Sequence, residues 1–192
     1  MIEISRIVGV NPNIISEVDG NGSTALHWAS EYGCMDAVIY LVERGAVVDS
    51  KTKIGNTPLS VAAQEGHLSI CEYLISQGAD IHSKSDNGYT PFSLAVSYAH
   101  LPVCEYLVSQ GADIDNKDND GRTPLSLAAM CGHLPVCEYL VSQGADIDDK
   151  DVHFASLLGC TNIASLLKKV TFYQYVHIIN ICILYIVHDT HM

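Results

Sequence analysis

The chain repeats itself every 33 residues. A Gly-x-Thr-[Ala/Pro]-[Leu/Phe] segment begins at Gly22, Gly55, Gly88 and Gly121, and a second marker, Gly-Ala before a short loop, falls at Gly45, Gly78, Gly111 and Gly144. Residues 84–116 laid over 117–149 agree at 23 of 33 positions, and the stretch HLPVCEYLVSQGADID stands unchanged at His100 and at His133. A module this small cannot close a core by itself. Such a period therefore points to a stack of like units in which neighbours supply the missing contacts.

Each unit reads as two helices and a loop. Thr57-Pro58, Thr90-Pro91 and Thr123-Pro124 put a hydroxyl at a helix N-cap and, at the first helical position, a residue of preset φ with no N–H to satisfy. The helix that starts there carries small apolar residues such as Leu59, Val61, Ala62 and Ala63. It must stop near Gly66 or Gly132, where a left-handed turn costs glycine least. A second helix, for example Leu68 to Gln77, places Ile70, Cys71, Leu74 and Ile75 on one stripe before Gly78 caps it. A polar loop rich in Asp, Asn, Lys and Gly closes the unit.

This pattern resembles the ankyrin repeat, on Gly22-Ser-Thr-Ala-Leu-His27, Gly55-Asn-Thr-Pro-Leu59, Gly121-Arg-Thr-Pro-Leu125 and the Gly66-His67 and Gly132-His133 pairs. The resemblance covers residues 18–149 as four full units. It implies an all-α, ankyrin-repeat α-solenoid with β-hairpin-like fingers perpendicular to the helices and a concave face that binds other proteins. Two departures carry expectations. The histidine of the family's Thr-Pro-Leu-His survives only as His27, with Ser60, Ser93 and Ser126 at the equivalent sites, so its hydrogen bond must be remade or lost. In the third unit Ala99 replaces the turn glycine and makes that unit a candidate weak joint, at about 1 kcal/mol for a left-handed alanine.

The ends are irregular, as solenoid ends are. The partition is a partial capping unit at 1–17, repeats at 18–50, 51–83, 84–116 and 117–149, a degenerate fifth repeat at 150–169 and an apolar tail at 170–192. In the fifth unit the register breaks after Lys150-Asp151: eight residues, Val152 to Gly159, stand in place of fourteen, and the first helix is expected to be short or distorted. Ile163, Ala164 and Leu167 recover the second-helix stripe. The tail, Val170 to Val187, sits at the lower edge of the ~20 apolar residues a bilayer-spanning helix needs. It reads as a capping element, a membrane anchor or an unstructured extension, and it offers an aggregation-prone segment at Ile178 to Val187 if exposed.

Composition narrows function. Ten Lys plus Arg against 22 Asp plus Glu, a formal charge of −12, disfavours nucleic acid as a partner. Seven cysteines with no preceding secretory signal disfavour a disulfide framework and favour reduced thiols in the cytoplasm. The pairs His67/Cys71, His100/Cys104 and His133/Cys137 mimic metal ligands at i, i+4. Periodicity explains them better, with each Cys on the apolar stripe and each His opening a helix whose backbone groups it can meet. Asn116, Asp118, Asp120 and Gly121 resemble the start of a calcium loop, but its twelfth position is Leu127 and Pro124 opens a helix inside it. Asp113, Asp115, Asp146, Asp148 and Asp149 read as a solvated acidic flank of the fingers. No base-positioned nucleophile and no phosphate loop stands out, so neither an enzyme nor a cofactor, metal or small-molecule site is expected.

What remains is a monomeric, non-enzymatic adaptor that binds a protein partner. Positions that differ between units are where recognition can be written, and they fall on the fingers and at the end of the first helix. Tyr32, Tyr89, Tyr98 and Arg122 are the candidate hot spots, supported by Ile54 and Met130 and by the finger residues Lys53 and Asn56. Trp28, at the place of Val61, Leu94 and Leu127, reads as core or inner-face packing in preference to a ligand contact. The alternatives are an adaptor anchored in a membrane through residues 170–187, or a fragment of a longer array without activity of its own.

Overall fold

The computed structural model describes residues 15–173. The expected capping helix within residues 1–17 falls almost wholly outside them, as does the apolar tail beyond Tyr173. The described chain is a succession of helices: α1 (Ala25–Glu31), α2 (Met35–Glu43), α3 (Pro58–Gln64), α4 (Leu68–Ser76), α5 (Pro91–Ser97), α6 (Leu101–Ser109), α7 (Pro124–Cys131), α8 (Leu134–Ser142) and α9 (Asp149–Leu157). Residues 161–173 form a tenth, α10. Odd-numbered helices stack on one another in one layer, α1 on α3, α3 on α5, α5 on α7 and α7 on α9, while α2, α4, α6 and α8 form a second layer behind them. Each helix thus finds its apolar partners in its own unit and in the units on either side, as stacked repeats require.

The caps follow the sequence. Thr24, Thr57, Thr90 and Thr123 have extended backbones at the N-caps. In the second and third units the hydroxyl of Thr57 or Thr90 accepts the N–H of Ser60 or Ser93 at 3.2 Å, and the serine Oγ accepts the threonine N–H at 2.9 Å. His27 does more in the first unit. Its Nδ1 accepts the Thr24 N–H at 3.1 Å, and Nε2 lies 3.0 Å from the Asn56 carbonyl in the next unit. In the second and third units serine therefore remakes the bond within the unit, its hydroxyl turning back to the Thr57 or Thr90 carbonyl where His27 reaches the next unit.

The core is a ladder of equivalent side chains. Leu26, Leu59, Phe92 and Leu125 are fully buried in the first layer, above the small Ala62, Ala95 and Ala128 that let the helices approach. Behind them Val38, Cys71, Cys104 and Cys137 occupy one position of the second helix, and Leu41, Leu74, Leu107 and Leu140 another. The cysteines thus do the work of Val38. Burial pushes their thiols up to about 12, and all three are free of disulfides. In the fifth unit Ala164 takes the cysteine place and Leu167 the leucine place, and both are buried. The first unit's Ser30 is fully buried at the site of Ala63 and Ala129, and its hydroxyl has no partner.

The fifth unit departs from expectation. Its first helix, α9, is nine residues long against seven in α3 and α5, so it is not short. What the missing residues remove is the finger: the chain passes from Gly144 almost directly to the N-cap, Asp148. That carboxylate accepts the N–H groups of Lys150 and Asp151, and the Asp151 carboxylate accepts the Asp148 N–H at 2.8 Å, a reciprocal cap that replaces Thr-Pro. Asp148, exposed as a flank residue is expected to be, is thus also a helix cap. Asp115 likewise gains a structural role, its carboxylate taking the Asp146 N–H at 3.0 Å across the unit boundary.

Candidate functional site

The fingers at residues 51–56, 84–89 and 117–122 are tight turns closed by Thr52 N–H to Asn56, Ser85 N–H to Tyr89 and Asp118 N–H to Arg122. Among the described residues they form no named strand, and the one bridge is Val18 with Thr24. One backbone bond ties each finger to the one before: Lys53 N–H to Asn21, Asp86 N–H to Ile54 and Asn119 N–H to Asn87, all near 3 Å. The Asn119 side chain adds a bond to the Asp86 carbonyl at 2.7 Å. The fingers are thereby held as a row against the first-layer helices.

Between row and helices runs a groove. Over the first two units it has a volume of about 390 Å³ and is lined by Asn21, Ser23, Thr52, Lys53, Ile54 and Asn56 from the fingers and by Glu31, Val61 and Gln64 from α1 and α3. Three of the eight sequence-predicted site residues, Lys53, Ile54 and Asn56, come together here. Lys53 and Ile54 are exposed, Ile54 by 61%. Asn56 gives its carbonyl to Thr52 and His27, so its backbone belongs to the scaffold while its side chain stands at the wall.

Tyr32 and Tyr98 are the C-cap residues of α1 and α5, exposed by 68% and 54%. Met130, half-buried on α7, continues the same helix-end series. Tyr89 and Arg122 are engaged with each other. The Arg122 Nη2 donates to the Tyr89 hydroxyl at 3.0 Å, Nε donates to Asp118 at 2.8 Å, and Nη2 lies 2.6 Å from Asp120. The Asp118 hydrogen bond, with the nearby acidic charges, raises Arg122 further above its ordinary value and keeps it charged. Asp118, buried, also accepts the N–H groups of Asp120 and Arg122, so the calcium-loop look-alike is an Arg-clamped turn. Tyr89 and Arg122 thus present their outer surfaces only, in one fixed pose.

The histidines that open the second helices act between units. His67 Nε2 lies 3.0 Å from the Glu31 carbonyl, and His133 Nε2 2.9 Å from that of Ser97, each at the open end of the preceding unit's first helix. They are spent on the stack. Sequence reasoning passed over Asn21, Ser23 and Thr52 as groove residues. For Asn21 the signal was available in the 33-residue spacing of Asn21, Ile54 and Asn87, whose carbonyls hold the row together. Trp28, expected in core or inner-face packing, is not in the core: the residue is 39% exposed and its ring stacks on Tyr32, with centroids 5.9 Å apart and planes inclined by 12°.

Comparison with known proteins agrees with this architecture. The family model described as ankyrin repeats (3 copies) matches residues 3–85 and 77–151. No curated protein matches the chain. Among the described residues no helix is long and apolar enough to cross a membrane.

Proposed function

Since the chain belongs to the ankyrin-repeat family, whose repeats generally serve as protein–protein interaction modules and are typically non-enzymatic, we propose that it is a scaffold or adaptor that docks a partner protein on the concave face of its stack. The observation that carries this reading is the groove between fingers and first-layer helices. Its walls are fixed by hydrogen bonds within and between units, while Ile54 lines it exposed and Tyr32 and Tyr98 stand exposed at the ends of first-layer helices. A surface organised in advance spends little ordering entropy when a protein docks. Tyr32, Tyr98, Ile54 and Met130 supply the contact area, Lys53 and Asn56 the polar selection, and the Tyr89–Arg122 pair a rigid edge in the third and fourth units. The free buried thiols fit a cytoplasmic setting, and a monomer suffices for this role.

The test is affinity capture from a cell extract with identification of the retained proteins, comparing the native chain with an Ile54→Ala, Tyr98→Ala double variant. Both side chains are exposed, so the unfolding free energy should stay within about 0.5 kcal/mol of the native one. Proteins retained by the native chain should be lost from the variant. A folded variant that keeps every one of them would remove the concave face from consideration.

A further inference from the structure

Trp28, Glu31 and Tyr32 stand at i, i+3 and i+4 and share one face of α1. Trp28 and Tyr32 form a parallel aromatic pair at the edge of the groove that Glu31 lines. The Asp19 carboxylate neighbours the Trp28 indole. The Ser23 and Asn21 N–H groups hold it, and the Trp28 indole adds to them, so that it stays ionised below the usual carboxylate range. Beyond their mutual stack the two rings remain accessible, Trp28 by 39% and Tyr32 by 68%. Every other unit lacks this arrangement. Val61, Leu94 and Leu127 stand at the Trp28 position, and Gln64, Ser97 and Met130 at the Glu31 position.

An exposed aromatic stack bordered by two carboxylates has a definite complement. A purely apolar side chain would cover the rings but strip water from Glu31 without replacing it. A carboxylate would be repelled, by these two groups and by a chain of net charge −12. A planar guanidinium satisfies both features at once, stacking on the aromatic face while its N–H fork meets the carboxylate. Lys53, the cation among the groove-lining residues, stands on the finger wall of the same groove and opposes added positive charge, so the fit is one arginine held by the rings and carboxylates and not a basic run. We propose that the Trp28–Tyr32 pair with Glu31 is a subsite for a single arginine side chain on an extended segment of the partner protein. This deepens the concave-face reading and rests on it.

Trp28 is the chain's one tryptophan, so its emission reports on the subsite directly. The probe is a nine-residue alanine–serine peptide with a central arginine, titrated into the full chain at low salt and compared with the same peptide carrying citrulline, which keeps the shape and removes the charge. The arginine peptide should change the emission saturably, and the citrulline peptide should bind about tenfold more weakly or worse. Glu31→Gln and Tyr32→Ala, both at exposed side chains, should each weaken the arginine peptide several-fold with the thermal midpoint unchanged. An equal response to citrulline, no response to arginine, or a response that survives both substitutions overturns the proposal. If the subsite fails in this way while the Ile54, Tyr98 variant still loses its captured proteins, the arginine inference falls and the concave-face reading stands.

Discussion

At the scale of single residues, the turn between the two helices of each unit is under two constraints that Ala99 exposes. The first is conformational, since Gly66 sits at φ 77° and Ala99 at φ 62°, a left-handed backbone that costs alanine about 1 kcal/mol. The second is steric. A Cβ on Gly66 would lie 2.3 Å from the Nδ1 of His100, so at this turn even a residue that tolerated the backbone would displace the next unit's imidazole. In the third unit the imidazole of His133 keeps its bond to the Ser97 carbonyl beside Ala99, leaving the conformational cost as the part to be recovered. Ala99→Gly should raise the unfolding free energy by about 1 kcal/mol, read by urea denaturation with an unchanged slope. A loss of stability would mean that the methyl group packs usefully. Ser30 offers a second residue-scale gain. Its buried hydroxyl has no partner, and Ala63 and Ala129 fill the same place in other units, so Ser30→Ala should add about 1 kcal/mol in the same assay.

At the scale of elements, the fifth unit separates what the sequence made legible from what it did not. Helix starts at Thr57, Thr90 and Thr123, the turn glycines and the second-helix stripes were all readable, because each depends on local chemistry repeated at a fixed spacing. The start of α9 is not legible from the Thr-Pro marker, which the fifth unit lacks. Its signal is the Asp148-x-x-Asp151 reciprocal cap. The groove was half legible: variable positions could be found, but whether a side chain such as Arg122 faces a partner or its own neighbours depends on contacts 33 residues away, at Tyr89. Asp151 has a consequence of its own. It is fully buried, accepts the Ser126 hydroxyl, and burial raises its pKa above the usual 3.8. The folded state then holds that proton more tightly than the unfolded state, so stability from this group is greatest below 3.8 and is lost as pH rises through the raised folded value. Asp151→Asn keeps an acceptor and discards the charge. It should leave the chain as stable or more stable at neutral pH, with the advantage shrinking in acid. A variant that is destabilised equally at both pH values would show the carboxylate to be needed as such.

At the scale of the whole molecule, the stack is a line of interfaces, and the two ends of its described part respond to acid in opposite senses. The first interface contains His27, buried, with Nδ1 accepting the Thr24 N–H and Nε2 left to donate to the Asn56 carbonyl, an arrangement that requires the neutral ring. Burial lowers its pKa from 6.5, against the smaller opposing pull of the hydrogen bonds and of Asp19. The unfolded chain therefore binds the proton first. The contribution of His27 is complete above 6.5 and is lost as pH falls from 6.5 through the lowered folded value. The last interface contains Asp151, whose protonation strengthens it in acid. Because units of a repeat stack open locally and the weakest interface frays first, mild acidification should move the fraying towards the N-terminal end. Amide exchange measured at about pH 7.5 and about pH 5, corrected for intrinsic rates, should show protection falling in α1 and α3 while α7 and α9 hold or gain. His27→Ser, which copies the chemistry of Ser60 and Ser93, isolates the cause: it should weaken the first interface at both pH values by removing the bond to Asn56, and it should abolish most of the pH dependence there. Protection that falls evenly along the chain, or a pH dependence in α1 that survives the serine, would place the acid response outside His27.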